Sequence, residues 1–171
     1  MHVMIDLETM GTRPNAPIVA IGAVAFDANT LGSEFYVDVD LGDAIEHGAQ
    51  MDPNTVLWWM QQSDEARAIF KRDGEPLGFA LGEFRQWICD LDLDGVWGNG
   101  ASFDNVILSE AYRRLGTETP WPFWKDRCYR TVKNMFDVPM DRSGVHHNAL
   151  DDAKTQAMHL MRINDEFGSF L

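Results

Sequence analysis

The stretch Val3-Met4-Ile5-Asp6-Leu7-Glu8, "VMIDLE" at residues 3–8, is short, apolar and rich in β-formers, and reads as a strand buried on both faces. Asp6 and Glu8 lie two apart, so their side chains project to one side of the sheet. Leu7 points the other way, into a core. Two carboxylates side by side at the end of a buried strand repel each other and lose hydration, and a bound cation relieves both costs. A lone D-x-E pair is nevertheless common by chance, and a solvent-facing acidic strand end is its ordinary meaning. The rest of the chain has to decide.

Working outward, "PIVAIGAVAFD" (17–27) reads as a second and longer strand, opened by Pro17 and closed by the turn-rich "DANTLG". "EFYVDV" (34–39) alternates as a third, and the short connections favour an antiparallel meander. The period then changes. "DPNTVLWWMQQ" (52–62) predicts a helix with Asp52 as N-cap and Pro53 at its first position. "SDEARAIFKR" (63–72) repeats the cap signal at Ser63, and "EPLGFALGEFRQWICDL" (75–91) carries Leu77, Leu81, Phe84 and Ile88 at helical spacing. "DGVWGNG" (94–100) predicts a short strand running into a glycine turn, followed by a helix over 102–116, capped by Ser102 and ended by Gly116. "PWPFWKD" (120–126) is irregular with room for a short strand, "RTVKNMFD" (130–137) is helical, and 148–167 is the strongest helix of all. This order describes one α/β domain over residues 1–171, a mixed central sheet of about five strands flanked by helices.

Composition narrows the function. With 14 Lys and Arg against 27 Asp and Glu, the net charge is -13. Phosphate contacts are normally made by basic groups, so nucleic acid is disfavoured unless divalent cations invert the local charge. Cys89 and Cys128 are too few and too far apart for a disulfide framework or a zinc site. The absence of a long apolar run and of a charged-then-apolar leader predicts a soluble cytoplasmic protein without membrane attachment.

Two further acidic stretches bear on Asp6 and Glu8. In "WGNGASFDNVIL" Gly98 and Gly100 permit a tight strand-to-helix turn. Asp104 follows in the first helical turn, where α/β proteins place ligands and where the helix dipole favours an anion. In "GVHHNALDDAKTQ" (144–156) the small residues Ala149, Ala153 and Ala157 mark the face that approaches the sheet. Asp152 falls on that face and is predicted to point into the protein body. Asp151, three residues after the N-cap Asn148, is predicted to point to solvent, so that Asp151→Asn should be nearly silent and Asp152→Asn inactive. His147 lies at the mouth of the same helix, in reach of whatever Asp152 binds, and suits proton transfer near neutrality. His146 is expected to point elsewhere.

Taken together, "IDLET" with Asp6 and Glu8, "GNGASFD" with Asp104, and "HNALDDA" with His147 and Asp152 resemble the three motifs of the DEDDh exonuclease superfamily. The finer texture resembles the exonuclease VIII-like subgroup that holds a mycobacterial exoribonuclease, RNase AS, and a phage T4 exonuclease. The resemblance spans nearly the whole chain and implies an RNase H-like fold and 3'-5' hydrolysis of single-stranded nucleic acid to nucleoside 5'-monophosphates. RNA is implied slightly ahead of DNA as substrate, and a homodimer is suggested. It further implies two Mg²⁺ or Mn²⁺ ions held by Asp6, Glu8, Asp104 and Asp152, with His147 as the base. Thr9 and Met10, directly after Glu8, are placed to contact the terminal sugar and base. Trp58 and Trp59 point about 100° apart on a helix, so at most one is expected to face the core and the other to stack on a base. Trp58 is taken as the base contact, with the choice between the two, and core packing of both, left open. No basic cluster marks a long nucleic-acid track. The alternative from another class, a non-catalytic RNase H-like binding module, predicts a damaged ligand set, and here all five motif positions are intact.

Overall fold

The computed structural model describes residues 1–142, 144–168 and 171. In chain order the first three elements are β1 (His2–Thr9), β2 (Ile18–Phe26) and β3 (Leu31–Asp38), the expected antiparallel meander. Then come α1 (Leu41–Glu46), α2 (Pro53–Trp59), α3 (Asp64–Arg67), which tightens into a 3-10 turn over Ala68–Lys71, and α4 (Leu77–Cys89). The second half holds β4 (Gly95–Gly98), α5 (Asp104–Arg114), β5 (Asp126–Cys128), α6 (Tyr129–Lys133) and α7 (Ala149–Phe167). The sheet order is β3-β2-β1-β4-β5, with β4 parallel to both β1 and β5. The mixed five-stranded sheet flanked by helices is therefore present as expected.

Every residue of β2 is buried, because both faces of the sheet are covered. The period-2 alternation of β1 divides the core. Val3, Ile5 and Leu7 pack with Leu81, Phe84 and Ile88 of α4 and Ile107, Leu108 and Ala111 of α5. Met4 faces the opposite side, against Val24, Phe26, Trp97 and the α7 residues Ala153, Ala157 and Leu160. Asp6 and Glu8 share the parity of Met4, so they lie on the α7 face.

Local readings shift at several ends. β3 begins at Leu31 rather than 34, since the turn is completed by the Asp27 carboxylate, which accepts the Asn29 and Thr30 amides at 2.8 and 2.9 Å. The six-residue α1 is too short to show a period and was not expected. α5 is capped at Phe103, not Ser102. The Phe103 and Asp104 amides turn back to the Gly100 carbonyl at 2.7 and 3.2 Å, and Asp104 becomes the first helical residue. The helix expected over 130–137 is the single turn Tyr129–Lys133. The short strand lies at Asp126–Cys128, where it completes the sheet beside β4. Asp52, Ser63 and Asn148 cap their helices as read.

One glycine decides how the halves meet. Gly22 pairs with Asp6 across β1 and β2, and a Cβ built on it would lie 2.2 Å from the Ala149 carbonyl carbon. Only glycine lets the first turn of α7 settle directly on β2. This contact carries Asp152 and Gln156 over Asp6.

Candidate active site

Asp6 and Glu8 reach the site from the end of β1 and Asp152 from the first turn of α7. Each offers a carboxylate oxygen, and the three oxygens lie within 4.8 Å of one another. Asp104 stands behind them, 2% exposed, at the start of α5. Its Oδ1 accepts the Leu7 amide at 3.3 Å, while its Oδ2 is buried without a hydrogen-bond partner. Gly98 makes the room, because a Cβ there would sit 2.9 Å from the Asp104 Cβ. Gln156, one turn beyond Asp152, donates from Nε2 to Asp6 Oδ1 at 2.7 Å. It is a neighbour that none of the sequence motifs singled out.

This much negative charge in a buried place is electrostatically uncomfortable. Burial holds the Asp6 carboxyl well above the usual carboxylate range; Asp104, Glu8 and Asp152 push it further, and the Gln156 bond opposes. Burial, then repulsion from Asp152 and Asp104, pushes Glu8 from 4.5 up to about 8. Burial raises Asp104 to about 7 against the pull of the Leu7 amide. Hard carboxylate oxygens in this number fit divalent Mg²⁺ or Mn²⁺, whose charge offsets the repulsion and the desolvation.

The same shifts set a stability test. Acids whose folded pKa lies above their unfolded value bind protons more tightly in the folded state, so folding loses stability as pH rises from about 4.5 to about 8. Metal-free protein is therefore expected to melt at a lower temperature at pH 8.5 than at pH 5, by on the order of 5 °C or more. Millimolar Mg²⁺ or Mn²⁺ should restore most of the loss at pH 8.5 and little at pH 5. Thermal denaturation in chelator and in metal checks this, and a midpoint that rises with pH in chelator would contradict it.

The segment before α7 is tied down by both aspartates. His147 donates its amide to Asp152 Oδ2 at 3.0 Å, and Val145 donates its amide to Asp151 Oδ2 at 2.8 Å. Asn148 in turn donates its amide to the Val145 carbonyl at 3.1 Å. Gly144, with φ +76°, lies so close to Asp151 that a Cβ would meet its Cγ at 2.3 Å. Asp151 is therefore not a solvent-facing helix-start charge as expected. Its backbone amide is used by Asn148 Oδ1 at 3.1 Å, and its carboxylate turns back to strap the histidine segment. Asp151→Ala is expected to lower kcat by roughly 10- to 100-fold through loss of His147 placement. Divalent-cation binding should stay intact, and Asp151→Asn, which keeps an acceptor oxygen, should lose less. Steady-state kinetics beside calorimetry checks both.

His147 lies edge-on to Trp58, with ring centroids 4.9 Å apart, and its pKa is lowered by burial and by His146, against the pull of Asp152. His146 does not point elsewhere: it faces the same cleft, and its ring lies 3.8 Å from that of His147. A second anchor fixes the segment before them. His159 Nε2 donates to the Val138 carbonyl at 2.9 Å, which leaves Nδ1 to accept from the Tyr129 hydroxyl at 2.7 Å.

These residues surround a cleft of about 690 Å³. Thr9 lines it, although its hydroxyl is engaged with the Gly11 carbonyl at 2.7 Å and its own carbonyl accepts the Trp59 indole at 2.9 Å. Met10 does not line it. Past the register shift between Glu8 and Thr9 its side chain turns into the cluster of Val19, Ala20, Trp59 and Ile69, which corrects the expectation that it meets the substrate. Trp58 is 41% exposed at the cleft wall, while Trp59 is buried, dividing the pair as helix geometry predicts. The missing basic cluster is also present in space. Arg130, Lys133 and Arg142 line the cleft, and Arg142 lies 3.3 Å from Asp152 Oδ1. Only the i, i+3 spacing of Arg130 and Lys133 on α6 hinted at it.

Solved nucleases share this fold. The nuclease domain of 3'hExo, a DEDDh family member bound to rAMP, superposes with a TM-score of 0.65 at 18% identity, covering 97% of this chain and 92% of that one. Exonuclease X in complex with 5' overhanging duplex DNA gives 0.62 at 17% identity over 99% and 94%. The class is that of DEDDh-type 3'-5' exonucleases, hydrolases of the RNase H-like superfamily. Within it, residues 1–164 match the 3'-5' exoribonuclease Rv2179c-like domain, and the chain belongs to that family. It is also 26% identical to the exodeoxyribonuclease of Enterobacteria phage T4, over 87% of this chain and 82% of the phage protein. Dependence on divalent metal is general among such enzymes, and no helix among the described residues is long and apolar enough to cross a membrane.

Proposed function

We propose that the chain removes nucleoside 5'-monophosphates stepwise from the 3' end of single-stranded nucleic acid, RNA ahead of DNA, using two divalent cations, Mg²⁺ or Mn²⁺. The observation that carries this reading is the gathering of Asp6, Glu8 and Asp152 oxygens within 4.8 Å of one another beside His147. Asp104, with its unpartnered buried Oδ2, completes the donor set. When bound, the cations would polarise the scissile phosphate and lower the pKa of the attacking water. Asp6, Glu8, Asp104 and Asp152 would hold them.

His147, positioned by the hydrogen bond that its backbone N–H donates to Asp152 and by Trp58, takes the proton of the attacking water. Its lowered pKa keeps the imidazole neutral and able to accept at pH 7. Arg130, Lys133 and Arg142 offer the substrate phosphates the positive charge that the acidic chain otherwise lacks. Trp58 presents an indole to the terminal base, a contact tolerant of sequence. The cleft volume of about 690 Å³ suits a terminal nucleotide.

The family description supports RNA, and the phage exodeoxyribonuclease supports DNA as the second reading. Digestion of 5'-labelled RNA and DNA oligonucleotides of one sequence, single-stranded and annealed, with Mg²⁺ or Mn²⁺, tests it. The expected result is a ladder shortening from the 3' end, faster on single-stranded RNA, and abolished in Asp6→Ala. Faster decay of DNA would select the second reading, and resistance of every substrate would refute the exonuclease assignment of the site.

A further inference from the structure

His147 has φ +63°, the only positive value at a non-glycine residue among the described residues. This left-handed conformation is uncommon and costs free energy at a residue with a Cβ. In extended backbone adjacent side chains diverge. Here the two imidazoles lie together, with centroids 3.8 Å apart and planes inclined at 37°. Proton transfer to one imidazole does not require the second.

His146, His147 and Asp152 each offer a ligand atom, and the three atoms lie within 4.8 Å of one another. This set differs in kind from the carboxylates beside it. Asp6, Glu8 and Asp104 are hard oxygen donors suited to Mg²⁺ and Mn²⁺, whereas two imidazoles and a carboxylate form a borderline set. Zn²⁺ binds such nitrogens at about 2.0–2.1 Å and leaves a fourth position for water. The site faces the open cleft, with His146 exposed and His147 and Asp152 half-buried. Arg142 would have to release Asp152, an ion pair at 3.3 Å whose guanidinium is half exposed and so of little net worth.

We propose that His146, His147 and Asp152 form a Zn²⁺ site that overlaps the catalytic centre, and that zinc bound there inhibits the enzyme. Asp152 is shared with the carboxylate cluster, so zinc and the activating cations compete for it. His147 can no longer accept a proton once its ring nitrogen is engaged. His146 gives the site its preference for zinc, since without it only one nitrogen donor remains. The inhibitory consequence rests on the hydrolytic reading above, whereas zinc binding itself does not.

Calorimetric titration of metal-free protein with Zn²⁺ alone tests the binding, using wild type, Glu8→Ala and His146→Ala. Zinc affinity at this site is expected to survive Glu8→Ala and to fall by roughly 10-fold or more in His146→Ala. In the activity arm, Mg²⁺-supported hydrolysis should be inhibited by micromolar Zn²⁺ in wild type. His146→Ala, with inhibition expressed relative to its own zinc-free rate, should need at least ten times more zinc for the same fractional inhibition. Equal zinc affinity and equal inhibition in wild type and His146→Ala would overturn the proposal and place any zinc effect at the carboxylates. Absence of hydrolysis in the wild type, with the calorimetric pattern as expected, would refute the catalytic reading and leave the zinc site standing.

Discussion

His147→Ala is expected to lower kcat by about 10²–10⁴-fold, the usual contribution of a positioned general base, while Mg²⁺ or Mn²⁺ still binds. The split follows from the separate duties of the residue. Its backbone amide, which alanine keeps, supports Asp152 at 3.0 Å, and its ring lies against Trp58 at the cleft wall. On the proposed mechanism, removing the ring removes the proton acceptor and leaves the carboxylates that would bind the cations in place. KM should change little, because no carboxylate or cation of the cleft is altered. Asp152→Asn makes the contrast, since it should weaken cation binding and turnover together. Calorimetry beside steady-state kinetics distinguishes the two variants, and a fully active His147→Ala would remove the residue from the mechanism.

Gly22→Ala is expected to damage activity far beyond what one methyl group suggests. The new Cβ would lie 2.2, 2.3 and 2.4 Å from backbone atoms of Ala149 and Leu150, and no rotamer change can relieve a clash with backbone. Either β2 bends or the first turn of α7 retreats from the sheet. Overpacking of this kind costs about 1–3 kcal/mol, or a fall in melting temperature of roughly 2–4 °C per kcal/mol in a domain of this size. The retreat also carries Asp152 away from Asp6 and Glu8. Misplacement by about 1 Å is enough to cost on the order of 10²-fold in rate. A folded, less stable and poorly active protein is expected by thermal denaturation and kinetics. Gly82→Ala, on α4 with open space around its Cβ position, is the control: activity should be unchanged and stability should rise by about 1 kcal/mol or less, the helix-propensity gain of alanine over glycine.

These effects show where sequence reading reaches and where it ends. The parity of Asp6 and Glu8 on β1 is a property of any strand, and the placement of Asp152 on the inner face of α7 follows from the helical stripe that it shares with Ala149, Ala153 and Ala157. Both were legible because they depend on local periodicity. That Trp58 and Trp59 diverge was legible for the same reason, whereas which of them is buried was settled by packing against Thr9 and Phe70. The fate of Asp151 and His146 was not, because the segment leading into α7 obeys no period: a left-handed His147 and a carboxylate turned back to the Val145 amide fix it. Met10 was misplaced because the register shift after Glu8 breaks the strand alternation that would have exposed it.

The sequence by itself determined the order of the strands and of the elements other than α1, the helix caps at Asp52, Ser63 and Asn148, and the residue types of the acidic motifs, all consequences of hydrogen bonding and side-chain parity within a few residues. Only the tertiary structure decided that Gly22 admits α7 to the sheet, that Gln156 holds Asp6, and that Arg130, Lys133 and Arg142 gather on one cleft. The reason is physical. Pairings between residues more than a hundred positions apart are selected by the packing of whole elements against a shared core, and a side chain carries no local mark of the partner that packing will bring to it.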